Sequence, residues 1–345
     1  MSYVRTTTPP PPPPAPRRSG FRIFTLLLGA FLLFSLLANF VLFLIVIVVA
    51  AAAGGSNSEG PASRVQAETL RAGGSDKIAI VPVSGEVDES LTEEMFAFCE
   101  YIKKDPSIKG VVLEVDSPGG GITASDEIHH LFTDLRDGGK RRLVVSMRSL
   151  AASGGYYISV PADKIYAQPT TLTGSIGVIW PAFEITKMMD KVGVTPEVIK
   201  SDSADEFKDA GSPFKQFTDK DRAYIKGLVN TAHEKFQSIV DTGRKGHLTK
   251  PIKEIAIGKI WSADEALKLG LIDEIAYLDQ VCDKTASDLG LSNPMIVRLK
   301  RRTGLLEALS AHSPVISPKV ELKIDKSSIE SLALPRMEYR APVLQ

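Results

Sequence analysis

Val111-Val-Leu-Glu-Val115-Asp-Ser-Pro-Gly-Gly-Gly121 is a short, β-branched apolar run that ends in a glycine-rich turn. The pattern returns in Leu143-Val-Val-Ser-Met147, which leads into Ala151-Ala-Ser-Gly-Gly-Tyr-Tyr-Ile158. Between them, residues 122–135 carry helical spacing. Buried strands alternating with helices predict an α/β fold with a mostly parallel sheet. In such sheets a ligand sits beyond the carboxyl ends of the strands, where both turns fall. The first turn offers backbone N–H groups that no side chain covers. The second offers Ser153, flanked by small residues where a helix should begin. A nucleophile beside an anion-binding loop is what acyl transfer requires.

The same alternation extends in both directions. Lys77-Ile-Ala-Ile-Val-Pro-Val83 reads as a buried strand, and Thr92 as the N-cap of a helix with Met95, Phe96, Cys99 and Ile102 on one face. Downstream, 165–167 begins a short strand, followed by Thr173-Gly-Ser-Ile-Gly-Val178. Residues 183–192 read as helix, 197–200 as extended, and 219–242 as a long amphipathic helix.

The N-terminus has a different composition. Prolines fill 9–14, an extended spacer. Arg17, Arg18 and Arg22 follow, and then no charge until Glu59. The apolar run 23–50 exceeds the ~20 residues that cross a bilayer as a helix and is too long for a cleaved signal segment. Arginines on its N-terminal side place that end in the cytoplasm and the rest of the chain outside, at the cell (inner) membrane. The expected organisation is therefore a cytoplasmic proline-rich tail (1–22), a transmembrane helix (23–53), a linker (54–76), a catalytic domain (77–289) and a C-terminal extension (290–345). In that extension Arg298, Lys300, Arg301 and Arg302 read as a solvated basic patch.

Lys+Arg and Asp+Glu balance at 41 each, so no global charge points to nucleic acid. Cys99 and Cys282 are far apart in sequence and are expected as buried free thiols. No metal-ligand spacing, nucleotide loop or cofactor motif is present, and neither a metal nor a cofactor is expected.

Ser153 alone could serve simply as an N-cap. With Gly119, Gly120 and Gly121 upstream it reads as a nucleophile whose oxyanion is held by backbone N–H groups. A serine needs a base. Of the five histidines none lies between Ser153 and His233, and His129 and His130 read as surface residues of a charged helix. Lysines remain. Lys208, in Glu206-Phe-Lys-Asp-Ala-Gly-Ser-Pro213, lies in a loop between a strand and the long helix. For half of it to be neutral at pH 7, its pKa must fall from about 10.4, a cost of about 4.6 kcal/mol. Asp205, Glu206 and Asp209 oppose that fall unless their charges face elsewhere.

Ser117-Pro-Gly-Gly120, Ala152-Ser-Gly-Gly-Tyr156, Thr173-Gly-Ser-Ile-Gly177, Lys208-Asp-Ala-Gly-Ser-Pro213 and Trp261 with Gly270-Leu-Ile-Asp273 occur in an order that resembles the signal peptide peptidase A (protease IV) family. The similarity covers roughly 77–280. It implies a Clp protease/crotonase-like ββα superhelix and a Ser–Lys serine endopeptidase that degrades cleaved signal peptides and other apolar, extended peptides. By that resemblance Ser153 is the nucleophile, Lys208 the general base and Ser175 the serine that orients the lysine. Gly120 and Gly154 supply the oxyanion N–H groups. The stretch Lys200-Ser-Asp-Ser-Ala-Asp-Glu-Phe-Lys208 is longer and more acidic than the family's pattern, which leaves Lys200 and Lys215 as alternatives. Each motif occurs once, which resembles the short, single-copy form. The family then implies a homo-oligomer whose neighbours complete each site, with peptides and the membrane as partners. Competing readings are a membrane protease of the same fold that cuts membrane proteins, a crotonase-like acyl-CoA enzyme, and a catalytically inactive membrane scaffold.

Overall fold

The computed structural model describes residues 19–54, 60–139, 141–204, 206–302 and 338–340, so the proline run, Arg17 and Arg18 lie outside the described residues. The chain forms two units. The first contains α1 (Ser19–Gly54). Within it Leu26–Ile47 has a mean hydropathy of 2.8 and buries none of its surface, so this helix is long and apolar enough to cross a membrane.

The second unit holds a mixed sheet. Its strands are β1 (Val65–Arg71), β2 (Lys77–Val87), β3 (Ile108–Gly121), β4 (Arg142–Ala152), β5 (Lys164–Ala167), β6 (Leu172–Gly174), β7 (Ile260–Ser262), β8 (Glu274–Ile275), β9 (Met295–Arg301) and β10 (Glu338–Arg340). The spatial order is β1-β9-β2-β3-β4-β5-β8. From β9 to β8 neighbouring strands are parallel, and β1 closes one end antiparallel to β9. The helices are α2 (Glu89–Lys104), α3 (Ile122–Gly139), α4 (Gly154–Tyr157), α5 (Thr186–Val192), α6 (Asp219–Gly243), α7 (Ile252–Ile255), α8 (Ala263–Leu269) and α9 (Leu278–Asp288). The α/β class and parallel centre are as expected.

The alternation follows from burial. In the central strands nearly every residue is covered, which is why 77–83, 111–115 and 143–147 read as continuous apolar runs. Phe98 and Ile102 of α2, Phe132 of α3 and Tyr156 and Tyr157 of α4 bury one side in a single apolar cluster. On the other side Val281, Cys282 and Ala286 of α9 cover Ile78, Ile80, Val112 and Val144. Each such side chain contributes about 1.5–3 kcal/mol on leaving water. Cys99 and Cys282 are both buried free thiols.

Several expectations change. The folded body extends beyond 77–289, because β1 lies in the expected linker and β9 in the expected extension. The basic cluster is not merely solvated: Arg298 donates to the buried Glu114 carboxylate at 2.8 Å, and Lys300 pairs with Glu68 at 2.6 Å. The N-cap of α2 is Asp88, whose carboxylate accepts from Leu91 N at 2.9 Å, so Thr92 lies inside the helix. Helix α5 starts at Thr186, leaving 183–185 outside it, and 197–200 is irregular.

Candidate active site

β4 ends in a turn at Ser153 that an L-residue seldom adopts, with φ 55° and ψ −117°. The turn is held from outside. Ala151 and Ala152 pair with Thr173 and Gly174 of β6, and Ser153 N donates to Gly174 O at 2.8 Å. Thr173 Oγ1 donates to Ala151 O at 2.6 Å. Such a conformation costs about 1–3 kcal/mol and persists only where the surroundings over-determine it. The Ser153 side chain is fully buried, and its Oγ has no hydrogen-bond partner among the described residues. A strained serine with an unengaged hydroxyl at the start of a helix is the geometry of a nucleophile.

The glycines around it are required sterically. A Cβ on Gly154 would stand 2.6 Å from Ser125 Oγ and 3.1 Å from both Gly119 Cα and Gly120 N. One on Gly120 would stand 2.3 Å from Val87 O. Gly119 has φ 98°, and its N–H donates to Ser117 Oγ at 3.1 Å. The Gly120 and Gly154 backbones therefore lie against each other beside Ser153. Ser175 is buried, also at positive φ (50°), and donates its N–H to Lys259 O at 2.8 Å. It lies one residue beyond the carbonyl that holds Ser153.

Behind Ser153 is a brace that the motifs alone did not reveal. Tyr156 OH donates to Leu271 O at 2.8 Å, which ties α4 to the Gly270-Leu-Ile-Asp273 turn. That turn is fixed by the buried Arg244, which donates to both Asp273 oxygens (2.9 and 2.6 Å) and to Gly270 O (3.0 Å). Burial alone would raise the Asp273 pKa, but Arg244 holds it below the ordinary carboxylate value. His129 is likewise no surface residue. Its ring packs edge-on against Tyr157, and burial pushes its pKa down to about 4, against the pull of Asp126.

Lys208 is exposed, and it makes no ion pair among the described residues; no hydrogen bond joins it to Ser153. Two of its acidic neighbours are occupied elsewhere. Asp209 accepts from Lys200 (3.2 Å) and Lys215 (2.9 Å), and Lys215 also donates to the buried Asp221 at 3.0 Å. Glu206 pairs with Lys220 at 2.8 Å. Asp205 lies outside the described residues. Burial works to lower the Lys215 pKa, but its bonds to Asp209 and Asp221 leave it raised, which suits a structural cation rather than a base.

A family model for peptidase family S49 matches residues 136–292. A putative signal peptide peptidase of Enterococcus faecium is 32% identical over 256 residues, spanning 70% of this chain and 72% of that one. The chain belongs to peptidase family S49. It is therefore a hydrolase of serine peptidase type. Other relatives include a putative protease of Methanocaldococcus jannaschii, 36% identical over 59% of this chain and 64% of that one. Protease 4 of Salmonella typhi is 33% identical over 53% of this chain but only 28% of its own length. Among solved structures, the 1510-N membrane-bound stomatin-specific protease with a substrate peptide matches with TM-score 0.40 and 15% identity, over 61% of this chain and 80% of that one. The family-matched region contains the Ser153 turn, Ser175, Lys208 and the Arg244–Asp273 brace; the Gly119–Gly121 strand precedes it.

Proposed function

We propose that this S49 peptidase is a membrane-anchored endopeptidase in which Ser153 attacks the scissile carbonyl and Lys208 takes its proton. The N–H groups of Gly120 and Gly154 hold the oxyanion, and Ser175 orients the lysine. The observation that carries the reading is the Ser153 turn: a strained, buried serine whose hydroxyl has no partner among the described residues, set against glycines that admit no side chain. Lys208 is favoured over Lys200 and Lys215 because both of those are committed to carboxylates. Substrates are signal peptide remnants and other extended apolar peptides, since a buried serine is reached by a strand and not by a folded domain. Helix α1 anchors the enzyme, with its arginine-flanked end cytoplasmic and the catalytic unit outside.

In this reading each site is completed by a neighbouring copy. Lys208 is exposed and Ser153 buried, and the segment carrying Lys208 leaves Ile179, Phe183, Met188, Val192, Ile199 and Phe214 exposed. Apolar surface on that scale marks an interface. The test mixes two inactive variants, Ser153→Ala and Lys208→Ala, after co-expression. Head-to-tail completion restores about a quarter of the sites in an equal mixture. Mixed assemblies as inactive as either parent place serine and lysine in the same copy.

A further inference from the structure

A cleft of about 530 Å³ opens between the segment that follows Ser175 and the first half of α6. Trp180 and Glu184 line it from the segment, and Phe217, Arg222, Ile225 and Lys226 line it from α6 and the turn before it. Arg222 and Lys226 are four residues apart and so share a helix face, with Ile225 beside them. None of the six exposed apolar residues assigned above to an interface lines this cleft. Its apolar wall is the Phe217 ring and the buried Ile225. Its polar groups are nearly all donors. Trp180 Nε1 is buried with no partner among the described residues, and an indole N–H can only donate. Arg222 lies over the Phe217 ring at 5.6 Å, and neither it nor Lys226 has a carboxylate partner among the described residues. The one acid of the lining, Glu184, already accepts from Thr186 Oγ1 at 2.8 Å.

Surplus donors beside an apolar wall suit a ligand that is itself apolar and carries an anionic acceptor. A guanidinium fork matches a carboxylate with two parallel hydrogen bonds, and a lysine beside it adds a point charge. We infer that this cleft holds the free C-terminal carboxylate of an apolar peptide. The carboxylate meets Arg222, Lys226 and the Trp180 N–H, and the last apolar side chain lies against Phe217 and Ile225. A peptide already released from its precursor ends in such a carboxylate, whereas the same residues within an intact precursor continue into an amide. The cleft thus selects released peptides over intact chains. The inference deepens the reading above and rests on it only in taking peptides as ligands; it uses neither Ser153 nor Lys208. The cleft adjoins the brace of the Lys208 loop, because Asp221 in the first turn of α6 holds Lys215, which in turn holds Asp209.

The test uses the full chain in detergent with Ser153→Ala, so that a bound peptide stays intact. Fluorescein-labelled Leu-Leu-Ala-Leu-Ala is titrated by anisotropy in two forms, free acid and C-terminal amide. The free acid should bind about tenfold more tightly than the amide. Adding Arg222→Met and Lys226→Met should bring both forms to the affinity of the amide. Adding Lys235→Met and Lys245→Met instead removes two exposed cations outside the cleft and should keep the tenfold ratio. Equal binding of the two forms before any lysine or arginine is changed overturns the proposal. So does a ratio that survives Arg222→Met with Lys226→Met, or one that the Lys235 and Lys245 pair also abolishes. Decanoate that displaces the free acid at lower concentration than unlabelled peptide makes the cleft a fatty-acid site and overturns the peptide assignment. Peptide cleavage by Ser153→Ala, read by mass spectrometry, refutes the nucleophile instead, and the ratio of initial anisotropies still reports on the cleft.

Discussion

Replacing Ser153 should make this protein more stable, and in a graded order. Ser153 contributes two unfavourable terms in the folded state. Its hydroxyl is buried without a partner among the described residues, which costs about 1–3 kcal/mol. Its backbone, at φ 55° and ψ −117°, costs about 1–3 kcal/mol more. Ser153→Ala removes the first and keeps the second. Ser153→Gly removes both, less about 0.5–1 kcal/mol for the extra freedom of glycine in the unfolded chain. Taking the middle of each range, the expected gains are about 2 kcal/mol for alanine and about 3 kcal/mol for glycine. For a domain of this size each kcal/mol moves the melting temperature by about 2–4 °C, so glycine should raise it by roughly 6–12 °C. Thermal unfolding of the full chain in detergent can be followed by tryptophan fluorescence, since Trp261 lies against Gly174 beside the site. Both variants melting at or below the parent would refute the claim that strain is stored at Ser153. Equal gains would refute the backbone part alone.

Other outcomes follow from the same contacts. Gly120→Ala should lower kcat/KM at least 100-fold and cost about 1–3 kcal/mol in denaturant titration, because its Cβ would meet the Val87 backbone. Arg244→Met should destabilise by about 3 kcal/mol at pH 7, because Asp273 loses its guanidinium and keeps only the Ile165 N–H (2.7 Å) and His247 (3.1 Å). The folded Asp273 pKa is lowered, so the pair's contribution is fully present above the ordinary carboxylate pKa. It is lost as pH falls through the folded value, and the gap between parent and variant should narrow below about pH 4.

The sheet's centre was legible because β2, β3 and β4 are buried on both faces and their sequences show it without interruption. Its two outer strands were not. β1 exposes all but Val65, so its composition matches a linker, and β9 hides its apolar residues among basic ones that pair with Glu114 and Glu68. The turn at Ser153 and the glycine run before it were legible as backbone features because their signal is local: small residues around one hydroxyl, and a positive φ at Gly119. The Arg244–Asp273–Tyr156 brace was not, because it joins residues distant in sequence with no spacing rule. The acidic run near Lys208 looked hostile to a base, but partners from elsewhere in the loop and from α6 pair with Asp209 and Glu206.

The central claim is that Ser153 is the nucleophile and Lys208 its base. The most direct measurement is fluorophosphonate labelling of the full-length protein at neutral pH, with the adduct mapped by mass spectrometry and its rate compared in Lys208→Ala. The account predicts a single adduct on Ser153 and a rate lower by about 10²–10⁴ without the lysine. An adduct on another residue, or Ser153 labelling at the parent rate in Lys208→Ala, would contradict it.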